Sequence, residues 1–538
     1  MHNADQKILS FSTTMRNPAR MGYFLVALME FENQTLTHEI IMQIVKRVLD
    51  FRLYKPTSLK NKQELNVKFS DKNYKFNNTE LEKIIKISPQ NHKERGFDKG
   101  WESRFDTWYK LMSEFGFCYY AKDKPLLISD TGKMLIKSCY DLDAKIFKES
   151  VDEGLLSSVF LNALSRYEVG NPYKKNLNHN TPFRLLLHLL NKLHQNQQTC
   201  LSIKEIPILL CWHDNNVDAL YEFITALRDK IYELNRVKFS YSDEFIYKKC
   251  LKLLQSDNQK RFKMSQITGE AVDEYVRKMR ITGLISLRGA GRFIDINRLE
   301  AQKVKHILSL NSSFKGNYLD DSDKNRLTFY QYMSQIDSIL ITQSKKVSDK
   351  GIKLIKLREF ANSYTINQIQ NELKIVCSKS SSNDELLKYI DKPLRFEFLA
   401  AIYLCQNFNN LQVLPNYKCD DEGVPTFTAS GGVADILAYD KETESYVEVS
   451  LIRDRTQTTN EIMPIARHLR ENINKSNNNK AKFSLFVAPI IHDDVKRYTR
   501  LIKLDESLDI AYYNIDEFVS KVQDSLKIAE LNEIVLDR

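Results

Sequence analysis

The stretch 430-SGGVADILAYDKETESYVEVSLI-452 decides how the C-terminal part of the chain is interpreted. Two alternating apolar and polar segments, GVADILAYD and SYVEVSLI, are separated by a short polar connection, which is typical of two neighbouring β-strands. Each carries one acid among apolar neighbours, Asp435 in the first and Glu448 in the second. Their spacing of 13 residues predicts facing positions, so the two carboxylates are expected to converge on one side of a sheet.

Acids in such apolar surroundings are unfavourable unless they hold a cation. Oxygen ligands with open coordination suit Mg²⁺, which also bridges phosphate oxygens and makes hydroxide available from bound water. The pair Asp435 and Glu448 therefore predicts a magnesium site. Taken alone, the same pattern also fits a hairpin whose acids face solvent.

The residues around this stretch predict a compact mixed α/β domain. LRFEFLAAIYLCQNF has the apolar spacing of a helix, and LQVLPNY reads as a strand before the two acidic strands. NEIMPIARHLRENI predicts a helix, KFSLFVAPI a buried strand, and DIAYYNIDEF a strand entering a helix. The order from residue 385 onward is thus α-β-β-β-α-β.

The first 385 residues read mostly as helices, since the whole chain contains only 16 Gly and 12 Pro. Two segments, WYKLMSEFGFCYYAKDKPLLISDTGKMLI and VDEYVRKMRITGLISLRGAGRFIDINRLE, combine a helix, a Gly-marked turn, two short strands and a second helix. This is the pattern of a winged helix. In the second, Arg288 and Arg292 flank Gly289-Ala290-Gly291 at the predicted wing tip and are candidates for contact with DNA. A plain β-hairpin closing a helical domain is the alternative.

The charge of the chain is divided unevenly. From Leu386 to the end there are 19 Lys and Arg against 24 Asp and Glu, whereas the preceding residues hold 60 against 45. A basic surface attracts phosphate backbones by releasing counterions, so nucleic acid is the expected partner of the N-terminal part. A Lys-rich solvated face would give the same count.

Other bulk features exclude several classes. The eight cysteines are scattered without C-x-x-C pairs, so neither a zinc site nor a disulfide framework is indicated. The longest apolar runs are too short to span a bilayer and no signal peptide is recognisable, which predicts a cytoplasmic, bacterial protein. Near the start, STTMRNPARM predicts a capped helix in which Arg16 and Arg20 contact phosphates or a guanine edge, or form surface ion pairs.

Several blocks resemble the AlwI family of type IIS restriction endonucleases, within the PD-(D/E)XK nuclease fold. The opening LSFSTTMRNPARMGYFLVAL resembles the family's first segment, and SEFGFCYYAKDKPLLISDTGKML and MRITGLISLRGAGRFIDIN look like its recognition subdomains. The positions that match the family's cleavage centre are Glu397, Asp435, Glu448, Glu461 and His468. Ser450 stands where many nucleases have Lys, but family members also have a hydroxylated residue there.

The resemblance implies roles for these residues. Asp435, Glu448 and Glu461 would be Mg²⁺ ligands, with Glu397 and His468 as further catalytic residues. Because Glu461 and His468 are seven residues apart, they are expected on one face of a helix, where Glu461 could orient water and His468 could donate to a phosphate. Gln457 is either a further polar participant or a loop residue.

The implied architecture is multidomain. It has two winged-helix-like recognition subdomains in a mostly α-helical N-terminal region (1–145 and 146–302), a helical linker (303–384) and a C-terminal α/β PD-(D/E)XK domain (385–538). The implied function is Mg²⁺-dependent cleavage of double-stranded DNA at a short distance outside an asymmetric site. A transient homodimer or second catalytic subunit would be needed to cut both strands, and a methyltransferase would complete a restriction-modification system. The alternatives are a DNA-binding regulator with a decayed nuclease domain and a structural protein of tandem winged helices.

Overall fold

The computed structural model describes residues 5–11, 17–71, 74–94, 96–148, 151–198, 200–234, 241–342, 350–429, 432–476 and 478–533. The chain forms two compact units. Unit 1 comprises Met1–Thr282 and Gln302–Gln343, and unit 2 comprises Gly283–Ala301 and Ser344–Arg538. The four segments expected from the sequence stay a prediction, but the hairpin between 283 and 301 belongs to the same compact unit as the C-terminal residues.

Unit 1 is mostly helical. Its helices are α1 (Ala19–Met29), α2 (His38–Asp50), α3 (Gln63–Ser70), α4 (Asn78–Ile87), α5 (Trp101–Glu114), α6 (Asp130–Cys139), α7 (Glu153–Leu164), α8 (Pro182–Gln195), α9 (Ile206–Cys211), α10 (Val217–Leu234), α11 (Asp243–Leu253), α12 (Ala271–Ile281), α13 (Ala301–Leu308), α14 (Asp323–Met333) and α15 (Ser338–Ile341). Its short strands are β1 (Cys118–Tyr119), β2 (Leu127–Ile128), β3 (Tyr140–Asp141), β4 (Ile146–Phe147) and β5 (Leu201–Ser202). No helix in the described part of the chain has the length and apolar character needed to cross a membrane.

The first predicted helix–strand–strand–helix segment is confirmed by α5, the antiparallel pair β1 and β2, and α6. Gly116 makes the turn after α5 with φ +74°, and an added Cβ would lie 2.6 Å from the Met333 side chain. Ser129 caps α6, because its hydroxyl accepts from the Gly132 amide at 3.0 Å. Local turn and cap chemistry therefore explains why the segment folds as its pattern indicates.

Unit 2 contains a hairpin, a sheet and flanking helices. The strands are β6 (Ile285–Arg288), β7 (Phe293–Ile296), β8 (Gln412–Pro415), β9 (Lys418–Cys419), β10 (Pro425–Phe427), β11 (Ile436–Tyr439), β12 (Thr443–Val449), β13 (Ala481–Ala488) and β14 (Ile510–Asn514). The helices are α16 (Lys350–Ser363), α17 (Ile366–Val376), α18 (Lys392–Asn407), α19 (Met463–Lys475), α20 (Asp493–Glu506) and α21 (Ile515–Asp524). The predicted element order from residue 385 is confirmed; the β9–β10 hairpin and α20 had not been predicted.

The main sheet of unit 2 has the strand order β14-β13-β12-β11-β8. β12, β13 and β14 run parallel to one another, whereas β11 is antiparallel to both β12 and β8. Phe486 and Ala488 of β13 pack in an apolar cluster with Ile465 and Leu469 of α19 and Val495 of α20. Since side chains alternate along a strand, the intervening residues of β13 face the opposite side of the sheet.

Candidate active site

The hairpin of β11 and β12 is closed by Asp440. Its carboxylate accepts from the backbone amides of Glu442 and Thr443, both at 2.8 Å, and its own amide donates to the Thr443 carbonyl. Such an Asx turn fixes the register of the strands it joins. The resulting pairs run from Tyr439 opposite Glu444 to Ile436 opposite Val447.

One step beyond the last pair, Asp435 and Glu448 face each other as the sequence predicts. The Asp435 amide donates to Glu448 Oε2 at 3.4 Å, and the Val449 amide donates to Asp435 Oδ2 at 2.9 Å. Asn416 fixes this end of β11, because its amide and side chain donate to the Asp435 and Ala434 carbonyls. The two acids, called here the carboxylate pair, are therefore placed by the backbone of three adjacent strands.

The two carboxylates are half-buried, and the pKa of each is raised above its ordinary value. Burial, together with the charge of Glu461, raises the pKa of Asp435 to about 7, although the hydrogen bonds with Val449 and Glu448 oppose this rise. Burial also raises the pKa of Glu448 well above its ordinary value, reinforced by the charges of Asp435 and Glu461. Among the described residues, the groups that chiefly shift these two pKa values include no cation. The pair is thus suited to binding a cation.

Glu461 reaches this site from a π-helical turn, Thr458–Ile462, that precedes α19. Its Oε1 accepts from the Ser450 hydroxyl at 2.7 Å, and that hydroxyl accepts from the Ile452 amide at 3.2 Å. The π turn interrupts the regular helical spacing on which the seven-residue argument for Glu461 and His468 depended. Such turns occur frequently at functional sites.

Gln457 holds the segment between β12 and the π turn. Its side-chain amide donates to the Ile452 and Ile490 carbonyls, both at 2.7 Å, and its Oε1 accepts from the His492 amide at 2.9 Å. The residue is fully buried. All these contacts are with the backbone, so Gln457 stabilises the loop that carries Ser450 towards Glu461.

Glu397 lies on α18, which precedes β11 and β12 in the sequence, and His468 lies on α19, which follows them. Glu397 of α18 is 4% exposed. Its Oε2 accepts a hydrogen bond at 3.2 Å from the amide of Ala429, which lies a few residues before Asp435 in the sequence. His468 is half-buried on α19. Within the described ranges, no group of three or more His, Cys, Asp or Glu side chains is arranged to hold a metal ion.

Two converging carboxylates nevertheless fit Mg²⁺. This ion retains several waters and is commonly bound by one or two carboxylates together with substrate phosphates. Asp435 and Glu448 supply that number of oxygen ligands, and burial raises the pKa of both, with no cation of the described residues among the chief causes of the shifts.

The predicted DNA-contacting arginines are in different environments. Arg16 lies outside the described residues. Arg20 is exposed at the start of α1, stacks over Phe24 at 5.6 Å, and donates to the Leu53 carbonyl. Arg292 is exposed in the β6–β7 turn, where its Nε donates to the Gly289 carbonyl at 2.9 Å.

Arg288 is enclosed by acids of unit 2. Its Nε donates to Asp295 at 2.6 Å, its Nη2 donates to Asp421 at 2.8 Å, and its Nη1 donates to Glu422. Burial lowers the pKa of Arg288, but Asp421 and Asp295 outweigh this and raise it. These four residues, called here the Arg288 cluster, fix the hairpin to the β9–β10 turn. Gly291 also lies so close to Glu385 that an added Cβ would meet its carbonyl oxygen at 2.4 Å.

Sequence reasoning missed two features of the site: the Ser450–Glu461 hydrogen bond and the structural role of Gln457. Ser450 was recognised only as the residue in place of Lys. A buried amide in a polar loop gives no periodic signal, since its partners are backbone groups distant along the chain. The hydroxyl at position 450, directly after the Glu448-Val449 dipeptide, was the available signal for a polar contact.

No curated protein matches the chain. Among solved structures, the small subunit R.BspD6I2 of the heterodimeric restriction endonuclease R.BspD6I is 25% identical over 31% of this chain and 81% of its own, with a TM-score of 0.25. Restriction endonuclease FokI is 11% identical over 98% of both chains, with a TM-score of 0.27, and its DNA-bound structure is 11% identical over 99% and 98%, with a TM-score of 0.25.

The family comparison covers more of the sequence. The model of the AlwI restriction endonuclease family matches residues 113–373 and 331–520, which together make up well over half of the chain. These ranges include the predicted recognition segments and the carboxylate pair. The chain is a member of the AlwI restriction endonuclease family.

Proposed function

We propose that this restriction endonuclease is a modular type IIS enzyme that binds a short asymmetric duplex sequence with its N-terminal part and hydrolyses a phosphodiester bond a few base pairs away with a PD-(D/E)XK-type domain in unit 2. The observation that carries this proposal is the carboxylate pair, in which the Asp435 amide donates to Glu448 Oε2 at 3.4 Å and the Val449 amide donates to Asp435 Oδ2 at 2.9 Å. Their raised pKa values support binding of a divalent cation.

Asp435 and Glu448 would hold Mg²⁺, with Glu461 as a third acid close enough to raise both of their pKa values. When bound, Mg²⁺ supplies charge neutralisation at the phosphate and an acidified water. Ser450 holds the Glu461 carboxylate at 2.7 Å, so that its second oxygen can orient the attacking water. Glu397 supports the segment leading to Asp435 through Ala429, and His468 is proposed to donate to a phosphate.

On the DNA-binding side, we assign contacts to Arg16, Arg20 and Arg292, within or beside winged-helix-like subdomains. Arg288 was expected to contact DNA as well, but its guanidinium faces three carboxylates. Its proposed contribution is to hold the hairpin that presents Arg292. One catalytic domain cuts one strand, so double-strand cleavage would require a transient homodimer or a separate catalytic subunit. A methyltransferase protecting the same sequence would complete the system.

The test combines cleavage and binding. Purified protein is incubated with unmethylated plasmid and Mg²⁺, and the fragment ends are sequenced; ends at a fixed offset from one motif are expected. The double variant Asp435→Asn/Glu448→Gln should bind the same DNA without cutting it. Glu442→Gln is the matched control, because Glu442 lies exposed in the turn of the same hairpin.

A non-catalytic DNA-binding regulator is the competing function. It predicts tight binding with intact plasmid for the wild type, and no difference between the double variant and the control. A plasmid that stays intact over a range of Mg²⁺ concentrations, with DNA binding retained, would overturn the endonuclease proposal.

A further inference from the structure

Unit 1 contains a cleft of about 530 Å³ whose lining is basic. Five cationic side chains line it, and none of its lining residues is an acid; the cations are Lys7, Lys110, Lys174, Lys175 and Arg261. They come from the N-terminal segment, α5, the loop between α7 and α8, and the turn between α11 and α12. Elements distant in sequence thus bring like charges to one concave surface.

The cleft has a rigid wall, because the segment containing Lys7 is fastened to the loop before α8. The Lys7 amide donates to Asn176 Oδ1 at 3.0 Å, and the Asn178 side chain donates to the Lys7 carbonyl at 2.9 Å. The Leu9 amide donates to the Leu210 carbonyl at 2.9 Å. These hydrogen bonds hold the backbone of this wall in place without a ligand.

Acids outside the lining neutralise the cations only partly. Four of the five cations lie near such an acid: Lys174 is 3.2 Å from Glu114, Lys175 3.2 Å from Asp321, Arg261 3.1 Å from Asp5 and Lys110 3.8 Å from Glu94. All four cations remain about a third exposed or more. The partly exposed pairs of Lys110, Lys175 and Arg261 contribute little and are readily exchanged for another anion. Glu114 is fully buried, so its pair with Lys174 is not of this kind. Burial and the neighbouring Arg261 lower the pKa of Lys7, as expected for cations held close together.

A second observation concerns Tyr173, which also lines the cleft. Its side chain is 8% exposed, and its hydroxyl has no hydrogen-bond partner among the described residues. A buried hydroxyl without a partner is unfavourable. Cations gathered on one concave surface make a suitable environment for a phosphate group.

We propose that this basic cleft binds a backbone phosphate of the DNA and its adjoining sugars, as a sequence-independent anchor of unit 1. This rests on the proposed DNA-cleaving function, and it adds a phosphate-binding site that is separate in sequence from Arg16, Arg20 and Arg292. The volume exceeds that of a phosphate alone, which favours a segment of backbone over a free ion. Contacts of this type position a protein on the duplex without reading its bases.

The test measures DNA binding without Mg²⁺, so that cutting does not interfere. A 30-bp duplex of mixed sequence is titrated with wild type and with the variant Lys110→Gln/Lys175→Gln/Arg261→Gln between about 50 and 200 mM KCl. Loss of the bound phosphate should reduce the magnitude of the slope of log K against log salt by about 0.9, the contribution of one phosphate contact.

The matched control is Lys192→Gln/Lys204→Gln/Lys248→Gln. It removes the same charge from three exposed ion pairs of unit 1 that do not line the cleft. The control should keep a slope much closer to that of the wild type, and Arg261→Lys should keep most of the binding because it retains the charge. Equal melting temperatures of the two triple variants verify that both are folded.

Two outcomes overturn the proposal. One is a wild-type slope in the cleft variant, or an equal reduction in the control, which would reflect net charge alone. The other is stabilisation of the wild type, but not the cleft variant, by inorganic phosphate at matched ionic strength together with unchanged DNA slopes, which would identify a free-phosphate site. Plasmid cleavage with Mg²⁺ is scored separately, so failure here does not count against the endonuclease assignment.

Discussion

Unit 2 contains two clusters of acids that differ in one respect: Arg288 supplies a cation to the first, whereas no cation of the described residues is among the groups that chiefly shift the pKa values of the carboxylate pair. In the first, Asp295 and Asp421 form ion pairs with Arg288 at 2.6 and 2.8 Å, so their negative charges are neutralised within the protein. In the second, Asp435 and Glu448 are placed against each other, and burial raises both pKa values. Similar residue types thus produce a stabilising contact in one place and an unfavourable one in the other.

The difference indicates function. A buried ion pair that is complete within the fold is part of its structure, and removing one partner leaves an uncompensated charge. An acidic pair without its own cation destabilises the fold unless a ligand binds there. Strongly perturbed acids in a polar site are for this reason candidates for catalysis or metal binding.

The largest expected effect comes from removing one charge of the carboxylate pair. Asp435→Asn should reduce cleavage by at least about a thousand-fold, since metal-ion catalysis contributes several kcal/mol. In metal-free buffer at pH 8 the same change should raise the melting temperature, because the amide oxygen can still accept from Val449 while the repulsion disappears. Calorimetry and plasmid cleavage measure the two effects. A lower melting temperature would show that the acid is structural, as in the Arg288 cluster.

The opposite result is expected for the Arg288 cluster. Arg288→Gln leaves the acids around it uncompensated and should destabilise unit 2 by about 3 kcal/mol. Arg292→Gln, four residues along the same hairpin, should change stability by less than about 0.5 kcal/mol, because Arg292 is exposed. Denaturant unfolding of both variants tests this. Equal stability of the two would mean that the ion pairs of Arg288 contribute nothing measurable.

The strand pattern of Asp435 and Glu448 allowed their convergence to be predicted, because alternation and a short polar turn are local signals. The turn itself, set by Asp440, also belongs to the same short stretch. In contrast, Arg288 and Asp421 are far apart in sequence and meet only in the folded unit. The local sequence alone predicts that a basic residue at a hairpin tip contacts nucleic acid, because it does not show whether acids from distant parts of the chain surround that residue.

The helical segment that carries Glu461 shows a second limit to what the sequence can predict. A seven-residue spacing places two side chains on one face only if the helix is regular, and the π turn Thr458–Ile462 changes that spacing. The turn has no distinctive sequence pattern. Its position is stabilised from outside by Gln457 and its contacts with Ile452 and Ile490.

The pH dependence should distinguish the two clusters further. The folded-state pKa of Asp435 is raised to about 7, so protons remain bound in the folded protein that the unfolded chain has lost. Metal-free stability should therefore fall as pH rises from about 4 to 7. Cation binding requires release of these protons, so cleavage at limiting Mg²⁺ should rise by up to about tenfold per pH unit below pH 7.

The control for this profile is DNA binding without Mg²⁺ in the same buffers, which does not depend on deprotonation of the pair. At saturating Mg²⁺ the midpoint should move to lower pH, because the cation competes better with protons. A cleavage profile that is the same at limiting and saturating Mg²⁺ would contradict proton release from Asp435 and Glu448.

The smallest effect is expected at Ser450, which touches the carboxylate pair only through Glu461. Ser450→Ala removes a hydrogen bond to a carboxylate and should slow cleavage by about tenfold, corresponding to about 1.4 kcal/mol. Ser445→Ala is the matched control, since Ser445 is a buried serine of β12, the strand that ends just before Ser450, and its hydroxyl has no hydrogen-bond partner among the described residues. Ser450→Thr should restore the rate, because it retains the hydroxyl. Equal losses in the two alanine variants would attribute the effect to packing of β12, and the position of Glu461 would then not depend on the hydroxyl.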